Sequence, residues 1–290
     1  KLAAADYSVM QILFFRNALA FIPILYLMHR HADSFRELLA TKRHGGHFFR
    51  GFVGVAAMFC FFTSFALLPL ADATAIHFAS PLIFTALSVF ILKENVGPHR
   101  WGAVIVGLCA VLFMLHPSGE GGLLGRFIAF MAAFLAAFAM MSVRRLGSTE
   151  HALTIVFYFT LYGMLIGGAG MIFMWEPLQK ETFIYLALTG ILGGIGQVFL
   201  THAYAGAPSA YVAPFAYLSI IFAVLSDILI WGDWPSYHIW VGSFIIIASG
   251  LYILYRETIH KQKTATARTN LYGLQPAMPT EEDEEEKEGT

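Results

Sequence analysis

The chain has 290 residues, 58% of them hydrophobic, 15% aromatic and only 13% charged, with a formal net charge of -1. Soluble domains hold about 45 to 50% apolar residues, so a water-soluble fold, which would leave the surplus apolar surface uncovered, is excluded. A bilayer core about 30 Å thick, crossed by roughly 20 apolar residues per helix, accommodates it, and the class is an all-α, polytopic helical membrane protein.

In chain order, apolar runs separated by polar or Gly/Pro-bearing breaks predict nine spans: 8–28, 51–69, 73–92, 101–116, 126–143, 152–175, 183–203, 209–231 and 237–256. The first, "MQILFFRNALAFIPILYLM", carries Arg16 near its middle with Gln11 and Asn17 close by. No cleavable signal peptide precedes it, and the start at Lys1 leads us to expect a further helix upstream. The connections "LAD" after Pro69 and "AGAPS" before Tyr211 are short enough to make consecutive helices antiparallel neighbours. Cys60 and Cys109 lie far apart inside apolar runs and read as packing residues. Trp101, Trp175, Trp231, Trp234 and Trp240 fall near span ends, where interfacial anchors belong. Residues 257–290 end in "EEDEEEKEG" and are expected to form a disordered acidic tail.

Assigning alternate loops to alternate sides puts every Lys and Arg except Lys1, Arg16, Arg126 and Lys180 on one side, with Arg50 in the 29–50 loop. The positive-inside rule makes that side, and the C-terminus, cytoplasmic.

Laying Ala73–Leu92 on Tyr211–Ile230 aligns Ala75 with Ala213, Ile83 with Ile221, Phe84 with Phe222, Leu87 with Leu225 and Ser88 with Ser226. Both segments are followed by an acidic residue, Glu94 or Asp233, then by Pro, Trp and a Gly-bearing run. A duplicated unit explains this. Four visible spans in the first copy and five in the second balance if one helix precedes Lys1. An odd number per copy inserts the halves in opposite orientation.

Three pieces then resemble the EamA-type transporters of the drug/metabolite transporter superfamily: "QILFFRN", "ALLPLADATAIHFASPLIFTAL" with "LKENVGPHRWGAVIVGLCAVLFML", and "AYAGAPSAYVAPFAYLSIIFAVLSDILIWGDWP" with "GSFIIIASGLYIL". Asp233 after Gly232 departs from the Glu usual in the second repeat. The resemblance implies two inverted five-helix repeats around a central cavity, the first at 1–116 without its first helix and the second at 126–256. It further implies transport of amino acids, other metabolites or drugs, with S-adenosylmethionine uptake or drug export as alternatives.

Polar side chains within spans are costly in hydrocarbon and must face protein or water. Arg16 either locks two helices through backbone carbonyls or clamps an anionic solute group, and Gln11 lies on a different face of its helix. His77, near Pro81, lines a cavity or packs between helices. Gln197, Thr201 and Tyr204, spaced i, i+4, i+7, make one polar stripe, and Tyr217 lies on the next span. These residues are the expected substrate contacts. Asp227, near the outer end of the 209–231 span, would pair with Arg16, carry a coupling proton or simply be solvated near the interface. Pro81 and Pro214 interrupt corresponding helices, the sequence pointer to a midplane site. Gly163 with Gly167, and Gly190 with Gly194, permit close helix approach.

A secondary-active, alternating-access carrier follows as the leading function. No phosphate-binding loop supports ATP-driven pumping, and no HExxH, GxSxG or paired intramembrane carboxylates support an intramembrane enzyme. A channel or scaffold is the third reading. A lone Arg is too little for a phosphate dianion in a dry site, which favours amino-acid-like or amphipathic solutes over sugar phosphates. The expected partners are a small-molecule substrate, the bilayer and a second copy of the chain. No cofactor, metal or nucleic acid is expected, and the compartment is the bacterial inner membrane.

Overall fold

The computed structural model describes residues 2–31, 39–91, 98–114, 122–206, 218–252 and 255–256, which are built from helices with no strand among them. The elements are α1 (Leu2–Asp6), α2 (Val9–His31), α3 (His44–Leu67), α4 (Leu70–His77), α5 (Ala79–Ile91), α6 (Pro98–Met114), α7 (Gly122–Leu146), α8 (Ala152–Met171), α9 (Lys180–Gly206), α10 (Leu218–Ser226) and α11 (Tyr237–Tyr252). A wider π-helical turn, Asp227–Trp231, continues α10. Six stretches are long and apolar enough to cross a membrane, namely α2, α3, α4 with α5, α7, α8 and α9. Three shorter apolar helices are Trp101–Met114, Ile221–Trp231 and Tyr237–Tyr252. Pro214, Tyr217 and the acidic tail lie outside the described residues.

Two helices begin more than three residues before their apolar runs. α3 starts at His44 rather than 51, and α7 at Gly122 rather than 126. Arg50 and Arg126, expected at loop edges, are therefore inside helices and buried, at 2% and 3% exposure. The physical reason is that backbone hydrogen bonding carries a helix past a polar side chain, so an Arg at the edge of an apolar run is not a boundary.

"LAD" is corrected too. The chain turns at Leu68 and Pro69, with the Leu68 N–H returned to the Ser64 carbonyl at 2.8 Å, and Leu70, Ala71 and Asp72 form the first turn of α4. The interruption of this helix falls at Phe78. Pro81 lacks an N–H and its ring crowds the carbonyl of residue 77, so the Phe78 N–H folds back on Thr74 and Ala75 (3.2 Å each) before α5 resumes.

The helices pair across the two halves of the sequence. α2 packs chiefly on α8 and α9, while α7 packs on α3, α4 and α5, and α8 also meets α3. α3 and α7 are antiparallel: a Cβ added to Gly46 would lie 2.9 Å from Leu146 Cδ2, and one added to Gly125 3.1 Å from Leu67 Cβ. The largest apolar core joins α4, α5, α6 and α7 to Val224 of α10 and to Ile239 and Ile246 of α11.

Both glycine pairs close on α2. A Cβ on Gly163 would meet the Asn17 side chain and one on Gly167 the Phe14 backbone; on α9, one on Gly190 would sit 2.5 Å from Leu19 Cβ and one on Gly194 2.8 Å from Ala20 Cα. In lipid, where apolar burial drives nothing, such backbone proximity supplies the packing energy between helices. Gly190→Leu is expected to separate α9 from α2 and cost about 3 kcal/mol or more by overpacking. Size-exclusion profiles of the detergent-solubilised protein after heating would read this as loss of the monodisperse peak, and an unshifted profile would contradict the contact.

Candidate functional site

The N-terminal end of α2 clips the loop between α8 and α9. Gln11 is fully buried; its Nε2 donates to the Glu176 carbonyl and its Oε1 accepts from the Glu176 N–H, both at 2.9 Å. Ser8 Oγ donates to the Met174 carbonyl at 2.7 Å, and the Tyr7 hydroxyl accepts from the Gln179 N–H at 3.1 Å. A side-chain amide presents the same donor and acceptor pair as a backbone unit, so Gln11 satisfies loop groups that would otherwise be orphaned. It sits with this loop, not with the other expected site residues.

One to two turns further along α2, three helices converge on one aromatic ring. Phe159 of α8 is buried, with the Arg50 guanidinium of α3 at 4.1 Å from its centroid and the Arg16 guanidinium of α2 at 5.8 Å. Arg16 Nη1 donates to Asn17 Oδ1 at 3.0 Å and Nη2 to the Gly193 carbonyl of α9 at 3.4 Å. Asn17 is held in turn by donation from Nδ2 to the Leu13 carbonyl at 2.7 Å. Arg50 is different: its Nε and Nη1 are buried and make no hydrogen bond among the described residues. Neither guanidinium has a carboxylate within ion-pair distance among the described residues. A ring face attracts a cation by about 0.5 to 2 kcal/mol, which offsets only part of the cost of holding two like charges out of water.

The stripe on α9 continues from this point. Gly193, whose carbonyl receives Arg16, is one turn before Gln197, and Thr201 and Tyr204 follow on the same face. All three side chains are buried, and Gln197 Nε2 donates to Thr201 Oγ1 at 3.3 Å. The opposite face carries Leu192, Phe199 and Leu188, all exposed and apolar. The helix thus sorts its residues by solvent, polar inward and apolar outward. Tyr204 reaches furthest, its ring centroid 6.2 Å from that of Phe84 on α5.

His77 and Asp227 stand apart from this cluster. His77 closes α4 at the helix break, half-buried, its ring 4.4 Å from that of Phe61 on α3 and its Nδ1 without a hydrogen bond. Phe61 lies eleven positions beyond Arg50 on α3, about 16 Å along the helix axis. Asp227 is not solvated: it is 0% exposed, and its carboxylate accepts from the Leu70 N–H at 3.1 Å and the Ala71 N–H at 2.5 Å. It makes no ion pair with Arg16, because it is engaged at the N-terminus of α4, where free N–H groups and the helix dipole favour an anion. Tyr217 lies outside the described residues.

The structure thus joins Arg16 to the Gln197, Thr201, Tyr204 stripe, and adds Arg50 and Phe159. A signal for Arg50 was present: it follows Phe48 and Phe49 as Arg16 follows Phe14 and Phe15, giving "FFR" twice. Phe159 carries no such mark among its aromatic neighbours.

The chain is similar to known proteins over most of its length. The pseudopaline exporter CntI of Pseudomonas aeruginosa is 27% identical over 256 residues, covering 86% of this chain and 87% of the relative. An S-adenosylmethionine uptake transporter of Rickettsia prowazekii is 26% identical over 246 residues, covering 84% and 81%. One crystal structure shares the fold with a TM-score of 0.62 at 17% sequence identity, covering 87% of this chain and 88% of that one. The model of the EamA-like transporter family matches residues 1–116 and again 123–255. Two successive matches, on apolar helices that turn arginine, glutamine and threonine inward, settle the assignment: this integral membrane protein belongs to the EamA-like transporter family.

Proposed function

We propose that the protein is a secondary-active carrier of small, carboxylate-bearing, amino-acid-like metabolites in a bacterial inner membrane. Two inverted repeats, with the C-terminus cytoplasmic, would expose the solute site alternately to either side. The six long and three short apolar helices, read as nine spans, support this, as does the helix broken at Phe78. The observation that carries the reading is the pair of buried guanidinium groups on Phe159 without an acidic partner among the described residues. A solute carboxylate supplies the missing charge, and the Gln197, Thr201, Tyr204 stripe supplies hydrogen bonds beside it.

Arg50 next to Arg16 makes two cations, so charge no longer disfavours a doubly charged solute. The bodies that move in this reading are not the two repeats taken whole. α2 is held by α8 and α9, and α7 by α3 to α5, so the moving bodies mix helices of both repeats. Asp227, bound to the start of α4, is a latch between the repeats and the place where a coupling proton would act.

Counterflow in proteoliposomes tests the reading, with S-adenosylmethionine, itself an amino acid, first in a panel of carboxylate-bearing solutes. Saturable uptake with counterflow is expected, and Arg16→Ala is expected to lower it at least about tenfold, the worth of one charge-assisted hydrogen bond. Linear, non-exchanging flux would point to a channel. Undiminished uptake by Arg16→Ala would remove the anion site from the proposal.

A further inference from the structure

A second binding place lies away from Phe159, at the end of the bundle where α5 and α7 finish and α3 begins. It is a cavity of about 430 Å³ whose lining includes Arg43, Phe49, Ile91, Phe138, Ser142 and Arg145. Arg43 Nη1 donates to the Arg145 carbonyl at 3.1 Å, and Arg145 Nη2 donates to the Ile91 carbonyl at 3.0 Å. These are carbonyls of the last turns of α7 and α5, which have no partner within their own helices. Among the described residues each guanidinium is thereby fixed by one hydrogen bond, out of the five donors its fork carries.

Among the described residues that line the cavity, two are arginines and none is acidic. Its other walls are aromatic and aliphatic, and Phe48, Phe49 and Phe52 of α3 form an exposed apolar face running from it along the helix. A ligand that matches both features has an anionic head and a hydrocarbon tail. A soluble anion would gain nothing from the apolar walls, and a neutral lipid nothing from the two arginines. Basic pockets between helix ends are where lipid phosphate groups are held.

We propose that this cavity binds an anionic phospholipid, with its phosphate on Arg43 and Arg145 and an acyl chain against Phe49 and Phe138. The site is independent of whatever solute the protein carries.

Native mass spectrometry of the full chain in mild detergent tests it, with phosphatidylglycerol and phosphatidylcholine of the same acyl chains added in turn. Phosphatidylglycerol adducts are expected to exceed phosphatidylcholine adducts by about thirtyfold, the factor two arginine contacts provide. The double variant Arg43→Gln/Arg145→Gln is expected to erase the preference. Because those arginines also cap helices, Ser142→Phe serves as the second variant: it fills the cavity, keeps both charges and is expected to lower adducts of phosphatidylglycerol. Equal retention of the two lipids, or a preference that survives both variants, would overturn the proposal. So would inorganic phosphate displacing the lipid as well as lipid itself does, which would make the site one for soluble anions. A dimer mass in place of lipid adducts would assign the surface to a second copy of the chain and overturn it equally.

Discussion

Arg50→Met is expected to stabilise the solute-free protein while abolishing its affinity for carboxylate-bearing solutes. Arg50 is 2% exposed, two of its nitrogens lack hydrogen bonds among the described residues, and its neighbouring cation is Arg16 across the ring of Phe159. Replacing a buried charge by an apolar side chain of similar volume gains about 1 to 4 kcal/mol. Loss of the ring interaction returns about 1 kcal/mol of this. The remainder, up to about 3 kcal/mol, corresponds to a rise in melting temperature of up to about 6 °C for a chain of this size. Stability would thus move opposite to function, as it does where a site holds unfavourable charge for a ligand. Melting followed by intrinsic fluorescence, with and without solute, checks both parts. A lower melting temperature for the variant would show that Arg50 supports the bundle instead of waiting for an anion.

Asp227→Asn is expected to do the reverse and destabilise the protein by about 2 to 4 kcal/mol, lowering the melting temperature by about 5 to 10 °C. The native carboxylate receives two adjacent N–H groups, those of Leu70 and Ala71, at the first turn of α4. Asparagine keeps one acceptor and turns an NH₂ group toward a donor, so one N–H is left facing another. The negative charge that complements the helix dipole is lost as well. Heating followed by size-exclusion chromatography measures the effect. A shift within a degree of the parent would mean that the α4 terminus finds another partner and that Asp227 latches nothing.

What the sequence revealed, and where it fell short, follows one physical division. Apolar runs report a local property, the match of a segment to hydrocarbon, and each expected run has a helix within it among the described residues. Periodicity on one helix is equally local, which is why Gln197, Thr201 and Tyr204 were expected inward and are buried. Partnership across the chain is not local. Gln11 is as polar as a substrate ligand, and only the fold shows that its amide is consumed by Glu176. Asp227 looked solvated because it lies near the end of a span, yet its partners come from α4. The sequence puts Arg50 in a loop because a charge at the margin of an apolar run marks an interface more often than a burial. Its covering ring belongs to a helix from the other half of the chain.

That last separation bears on biosynthesis. Arg16 and Arg50 leave the ribosome well before Phe159, the aromatic face on which both guanidinium groups rest. Each costs about 2.5 to 3.5 kcal/mol to place mid-membrane without protein cover. The early hairpin of α2 and α3 must therefore shelter its two charges against headgroups or the insertion machinery. Its final seating is completed only when translation delivers α8.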